Sequence, residues 1–300
     1  MSLLRGVFAA LLAVGLAGPV AAQDPCADYV PQPRPQNASR DEVGQDLDTI
    51  LERGHMSFAL YEDYPPYSWL EGSTPRGVDA EIARLIAEYV GVEPRFNFVA
   101  AAESLDSDLR NNIWQGGIVS GAVSNVMMRI PYDSKFACRV EQVVFTGQYA
   151  VERVAIAYAK DAYPDDLPVP AYFRFDTVAV ENDSIADFYL SSFAGGQLNA
   201  QVRRFPDMVA AMEALAGGET KAAMGPRGQL EWGLTDALGV HAPPLAGFAI
   251  SQWTLGVAVN FRFRPLGYTV DDAIREGLDS GAIAAIYDSY GLTHEAPAFR

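Results

Sequence analysis

From His55 onward, short apolar runs alternate with segments whose apolar side chains recur at helical spacing, and the alternation is played through twice. In the first series Met56 to Tyr61 is a strand and Val78 to Val90 a helix, with Val78, Ile82, Leu85, Ile86 and Tyr89 on one face. Phe96 to Val99 returns to strand, Leu105 to Trp114 to helix, and Val119 to Met128 and Gln142 to Thr146 to strand. The second series starts with the apolar strand Val151 to Tyr158, followed by a turn-rich stretch from Asp161 to Pro170. There Thr177 to Val180, Gln201 to Arg204 and Lys221 to Met224 are strands; Ser184 to Phe193, Pro206 to Ala216 and Gly228 to Leu234 are helices. A strand at Leu255 to Val259 and two helices, Val270 to Asp279 and Ala282 to Tyr290, complete the pattern. Strand and helix in this order predict an α/β protein with mainly parallel sheets and helices on both faces.

Two such series imply two lobes. If the chain crosses near residue 152 and returns near residue 254, lobe 1 comprises residues 54–152 and 254–300, and lobe 2 comprises 153–253. Two crossing strands then make a hinge.

Ahead of this body, Met1-Ser-Leu-Leu-Arg5, an apolar stretch from Gly6 to Val20 and Val20-Ala-Ala22 have the layout of a cleaved export signal covering residues 1–22. The apolar stretch holds about 15 residues, short of the roughly 20 that span a bilayer. Periplasmic localisation is therefore expected. Residues 23–53 form an N-terminal extension: Pro, Gln and Asn dominate up to residue 40, and Asp41 to Leu51 has helical spacing, with Ser39 as its expected cap.

The formal net charge is −16, with basic residues scattered, which argues against nucleic acid and anionic lipid as partners. In an oxidising compartment Cys26 and Cys138 either bond, tying the extension to lobe 1, or stay as two free thiols. His55, His241 and His294 are too dispersed for a metal site, and no cofactor motif is present. No nucleophile elbow or phosphate loop occurs, and the acid pairs Asp165-Asp166 and Asp271-Asp272 are adjacent, which points their side chains apart.

Four stretches resemble, in order and spacing, the family-3 periplasmic solute-binding proteins that serve polar amino acid ABC importers. They are Tyr64-Pro-Pro-Tyr67-Ser-Trp69, Gly77-Val-Asp79-Ala-Glu81-Ile-Ala83, Arg139 through Phe145-Thr-Gly-Gln-Tyr149, and Val270 to Ile286. The resemblance runs from about His55 to Leu292 and implies the type II two-lobed fold, with two mainly parallel sheets and a two-strand hinge. It also implies a small, carboxylated, amino-acid-like solute held between the lobes, and a membrane ABC permease as partner.

Within that resemblance Arg139 is the expected carboxylate anchor, a planar two-pronged donor that stays charged; the alternative is a surface arginine in an ion pair. Tyr64, Tyr67 and Trp69 are candidates to stack on the solute, Trp69 equally a loop-packing residue. Ser134 is a further candidate in lobe 1. In lobe 2, Ser184 and the amides of its helix start are an expected anion site, or simply a helix cap. Lys221 and Pro226 depart from the family pattern where the solute's ammonium partner is expected, leaving Glu181 or Glu231 to substitute. Met-Gly-Pro at 224–226 is similar to a branch that accompanies quinoprotein alcohol dehydrogenases, the alternative partner. Some members of the fold are cyclohexadienyl dehydratases, for which Glu181 is the sole catalytic candidate; a non-enzymatic role is expected.

Overall fold

The computed structural model describes residues 24, 26–30, 46–117, 121–245, 247–248 and 250–298. The expected export signal, the Ser39 cap and most of the extension lie outside the described residues. Helix α1 (Leu47–Arg53) is capped by the Asp46 carboxylate, which accepts from the Thr49 amide at 2.9 Å.

Strand β1 (His55–Tyr61) is followed by a hairpin, β2 (Trp69–Glu71) and β3 (Thr74–Arg76), then α2 (Val78–Val90) and β4 (Glu93–Val99). Helix α3 (Leu105–Leu109) continues through one π turn, Arg110–Trp114, toward β5 (Val126–Tyr132), α4 (Ser134–Arg139) and β6 (Val143–Ala159). The second series runs β7 (Val178–Glu181), α5 (Ile185–Ser192), β8 (Val202–Phe205), α6 (Met208–Ala216), β9 (Ala222–Pro226), α7 (Arg227–Trp232) and β10 (Leu238–His241). Strand β11 (Gln252–Asn260) and helices α8 (Arg264–Asp279) and α9 (Ala282–Ser289) close the chain.

These strands join in the order β4-β1-β5-β11-β6-β9-β7-β8, with β10 also on β6. The flanks are parallel: β1 pairs β4 and β5, and β7 pairs β8 and β9. The middle is antiparallel, because β11 returns alongside β6. Strand β6 pairs with β11 as far as Arg153 and with β9 from Val154 onward, so one strand passes from the first half of the molecule into the second.

Helices pack on both faces of each half. In the first, Ile82 and Ile86 of α2 and Ile274 of α8 meet Phe58 and Val259 on one face, while Leu109 and Ile113 cover Met127 on the other. In the second, Leu190 meets Ile156 and Val178, and Met208 and Leu215 meet Ala157 and Ala223. Each fully buried aliphatic side chain contributes about 1.5–3 kcal/mol.

Strands β4 and β11 each begin three residues earlier than expected, at Glu93 and Gln252, and two larger departures stand out. The strand expected at Val119 to Met128 starts only at Val126 and runs on to Tyr132. Gly116 packs against the Gly121 backbone and the Ser124 amide donates to Asn112 O at 2.7 Å, which holds residues 121–124 to the helical segment instead. The strands expected at Gln142 to Thr146 and Val151 to Tyr158 are one continuous strand, since a register shift opposite Gly256 absorbs the irregularity.

Cys26 and Cys138 are joined by a disulfide, and the Tyr29 hydroxyl donates to Glu141 at 2.7 Å, so the N-terminal segment is moored on α4. At the other terminus, the Val151 amide donates to Glu295 O at 2.8 Å and the Thr293 amide to Glu231 at 2.7 Å. The C-terminal tail thus crosses from β6 to α7, over the point where β6 changes halves.

Candidate functional site

The loop between β1 and β2 forms the first wall of the cleft. Tyr64 and Ser68 bridge, with the Tyr64 amide donating to Ser68 O at 2.8 Å, and the Pro65–Pro66 peptide is cis. The loop lies directly on the start of α2: Val78 N donates to Pro66 O at 3.1 Å and Asp79 N to Tyr67 O at 2.9 Å. Gly77 permits this. Its φ of 111° suits glycine, and a Cβ there would sit 2.2 Å from Tyr67 O.

Arg129 is the centre of the site. Opposite β11, Met127 faces Ala258 and Ile130 faces Gly256, so two residues of β5 stand against Val257 alone. At this bulge Arg129 has φ 59°, a backbone region that non-glycine residues seldom occupy and that functional sites retain. A bulge re-aims the side chain. Here it turns the guanidinium onto the Tyr67 ring, with Cζ 3.1 Å from the ring centroid, and near Tyr64 at 5.8 Å.

The guanidinium is 6% exposed, so its charge must be matched within the protein. Its Nη2 donates to Glu152 Oε2 at 2.9 Å, the same oxygen that accepts from the Tyr67 hydroxyl at 2.6 Å. Asp79 Oδ1 lies 3.8 Å from Nη1 and accepts from the Tyr149 hydroxyl at 2.8 Å. Among the described residues, Asp79 Oδ2 and Arg129 Nη1 have no hydrogen-bond partner. Burial raises the Asp79 carboxyl to about 6, against the opposing pull of Arg129 and the Tyr149 hydroxyl. Burial also opposes the charge on Arg129, but Tyr67 and Asp79 outweigh it and hold the guanidinium protonated.

Two cavities lie beside this cage, and Arg129 lines the smaller. One, of about 360 Å³, is lined by Tyr61, Tyr64, Arg129 and Pro131 from the first half and by Pro226 and Trp253 near the crossing strands. The other, of about 660 Å³, runs from Tyr64 and Trp69 to Glu181, Asp207, Gln229 and Trp232 of the second half. Tyr64 lines both. Trp69 meets Trp232 with ring centroids 5.5 Å apart, an aromatic contact between the halves.

Of the residues expected from sequence, Tyr64, Trp69 and Glu181 line the cavities. Tyr67 is fully buried beneath Arg129 and lines neither, so the expected stacking on a solute is corrected to a supporting role. Arg139 stands exposed at the end of α4 and lines neither cavity, so the anchor role assigned to it is corrected. The spacing between strand and Phe145 is taken up by a short helix, capped by Asp133 on the Phe136 amide at 2.6 Å and tied down through Cys138. Ser134 opens that helix and lines neither cavity. Ser184 is a cap: its hydroxyl accepts from the Asp187 amide at 3.2 Å, and Asp187 itself accepts from the Asp183 amide at 3.2 Å, so the protein's own carboxylate occupies the expected anion site. Glu231 is engaged by Arg227 at 2.7 Å and by Thr293. Lys221 pairs with Asp176 at 2.7 Å.

Arg129, Glu152 and Asp79 were missed as a set. A signal existed for Arg129, the lone cation inside the apolar run Val126-Met-Met-Arg-Ile-Pro131, where a strand buried on both faces requires a partner for any charge.

The architecture, with two α/β halves joined by crossing strands around a cleft, is the two-lobed periplasmic binding protein fold. The chain is similar to an ancestral cationic amino acid solute binding protein, at 18% identity over 82% of this chain and 99% of that one, with a TM-score of 0.66. It is also similar to an amino acid ABC transporter substrate-binding protein from Streptococcus pneumoniae bound to L-arginine (18% identity, 83% and 99% covered, TM-score 0.58). A third likeness is to a histidine kinase sensor domain with similarity to periplasmic binding proteins (23% identity, 82% and 100% covered, TM-score 0.54). No family model and no curated protein matches the chain. At these identities the likeness establishes the fold.

Proposed function

We propose that this is a periplasmic solute-binding protein that captures a small, carboxylated, amino-acid-like solute between two lobes and presents it to a membrane ABC permease, without chemical turnover. Residues 54–152 with 254–300 form one lobe and 153–253 the other, and the solute is held by closure about the crossing strands β6 and β11. One observation carries this reading: the larger cavity runs from Tyr64 and Trp69 of one half to Glu181, Asp207, Gln229 and Trp232 of the other, so moving the halves apart would open it.

Arg129 replaces Arg139 as the carboxylate anchor. Among the described residues its Nη1 lies 3.8 Å from Asp79 Oδ1 but makes no hydrogen bond, and a fork of donors suits a carboxylate better than a point charge does. Tyr64 supplies an aromatic face with a polar edge beside it. Similar proteins of the fold are described as bound to L-arginine or L-glutamate, which supports an amino-acid-like solute.

A thermal-shift screen of amino acids and dicarboxylates, followed by calorimetry, tests the reading. At least one solute should raise the melting temperature and be recovered unchanged after incubation. Arg129→Lys, which keeps the charge and loses the fork, should weaken that solute about tenfold or more. Absence of binding across the whole panel overturns the proposal.

A further inference from the structure

The C-terminal tail lines neither cavity, yet it touches both halves. Leu292, 4% exposed, is rooted in the first-half core with Tyr287, and the His294 ring packs on Tyr287 with centroids 4.9 Å apart. His294 Nε2 lies 2.7 Å from Tyr149 O, on β6 before that strand changes halves. Thr293, between these two residues, faces the other way. Its amide donates to Glu231 Oε2 at 2.7 Å and its hydroxyl to Glu231 Oε1 at 2.8 Å, while Arg227 Nη2 donates to Thr293 Oγ1 at 3.2 Å. Glu231 and Arg227 belong to α7 of the second half and pair with each other at 2.7 Å. Glu295 then returns to the crossing strand: the Val151 amide donates to its carbonyl at 2.8 Å, and its carboxylate pairs with Arg153.

A chain end is often tied down by some contact, and bonds to a single half would signify nothing more. Two features set this tail apart. The acceptor is a carboxylate whose side chain is 6% exposed, so water does not readily replace its donors, and hydrogen bonds to a charged group are the strong kind. In addition, first-half residues hold α7 at both ends. Gly228 N donates to Glu152 Oε1 at 3.4 Å, and the Trp232 ring lies against Trp69 and Tyr290 at 5.5 and 6.2 Å. At Gly228 the approach is so close that a Cβ would stand 2.5 Å from the Tyr67 hydroxyl oxygen.

We propose that Leu292 to Glu295 form a strap over the crossing strands, which grips α7 through Thr293 and Glu231 and biases the two halves toward the closed arrangement before any solute binds. Leu292, His294 and Glu295 are its anchors, and Thr293 is its clasp. The inference rests on the hinge in the solute-binding reading and is independent of the solute's identity. A strap of this kind lowers the open population through which a solute enters, so it slows capture and prolongs retention.

The test is the width of the cleft, measured with no solute added. Spin labels on Ser73→Cys, at the turn of the β2–β3 hairpin, and Glu213→Cys, on α6, report it; both positions are exposed, and the native cysteines are bonded to each other and take no label. The otherwise unaltered chain should give one dominant short distance. Thr293→Val, which keeps the shape and loses the hydroxyl bond, should raise the open-to-closed ratio about tenfold, and truncation after Leu292 should raise it further, so that a second, longer distance appears. Should the truncated chain fail to fold, Thr293→Val, at an exposed position, carries the test. Gly228→Ala, whose added Cβ wedges the halves apart, serves as the reference for an opened cleft. Long and short distances already mixed in the unaltered chain overturn the inference. So do distances unchanged in Thr293→Val and in the truncated chain, even with a lowered melting temperature, while Gly228→Ala lengthens them; the hinge would then survive without the strap. If none of the three variants alters the distance, the hinge falls as well.

Discussion

The cleft wall built by β1, α2, β5 and the near end of β6 closes its charges on one another, whereas the wall built by β7, α6 and α7 turns them outward. On the first wall, Arg129 sits between Glu152 and Asp79 and against Tyr67, all of them nearly inaccessible to solvent. On the second, Glu181, Asp207 and Glu213 line the larger chamber without a salt bridge among the described residues, Asp207 also capping α6 through the Ala210 amide. A buried charge must find its partner within the fold, so the first wall is assembled when the protein folds. The second wall can leave its charges for something that arrives later. The two sides differ in degree: the first matches all but one guanidinium nitrogen and one carboxylate oxygen within the fold, and the second leaves its carboxylates without a counter-charge among the described residues.

The sharpest way to break this contrast is Arg129→Ala. Removing the shared cation strands two buried carboxylates, and the expected loss is about 3–5 kcal/mol, read as a fall of about 10 °C or more in melting temperature. A drop of only a degree or two would mean that the first wall is as loosely matched as the second.

Next in size is a pH effect from Asp79. Its carboxyl is raised from 3.8 to about 6 in the folded protein, so the folded state keeps a proton that the unfolded chain has already released. The stability this group contributes is complete below the unfolded value and is lost as pH rises through about 6, a change of about 3 kcal/mol. Urea unfolding at several pH values should show that decline, and Asp79→Asn should flatten it. On the second half Asp187 tilts the other way. Burial would raise it, but hydrogen bonds from Arg204 and Ser191 and the Asp183 amide prevail and lower it. Its contribution is present above its unfolded value of 3.8 and fades as pH falls through the lower folded value. Asp187→Asn should therefore reduce stability at neutral pH and leave it nearly unchanged in strong acid.

A smaller effect sharpens the second wall. Glu181→Gln removes a carboxylate that burial and Asp207 already disfavour, so unfolding at pH 7 should be unchanged or more difficult by less than about 1 kcal/mol. A clear loss of stability would reveal a partner that the cleft does not display. Smallest of all, Arg139→Ala should alter stability by no more than about 0.5 kcal/mol and leave solute affinity as it was, because the side chain stands in solvent.

Much of the fold was legible in the pattern of apolar residues. Helix α2 occupies the span its spacing predicts, because Val78, Ile82 and Ile86 face one core and Gly91, with φ 81°, ends the helix by accepting the left-handed conformation. The loop aromatics were legible in part: Tyr64 and Trp69 line the cavities, whereas Tyr67 is buried under Arg129. The anchor was not. Arg139 has the expected interval from Phe145, but an interval along a chain carries no direction in space, and the α4 turn points that side chain away. Arg129 reaches the cleft through a one-residue bulge, which leaves no trace in hydrophobic periodicity.

Taken alone, the sequence determined most of the strands and helices but not the β2–β3 hairpin, α4 or β10, that they come in two series, and that the protein is strongly acidic, because local propensity and periodicity are properties of neighbouring residues. Only the tertiary structure decided which arginine is buried, which carboxylates share it, and which are left facing open space. Those outcomes depend on strands brought together from far apart in the chain, and on the low-dielectric interior that makes every buried charge find a partner.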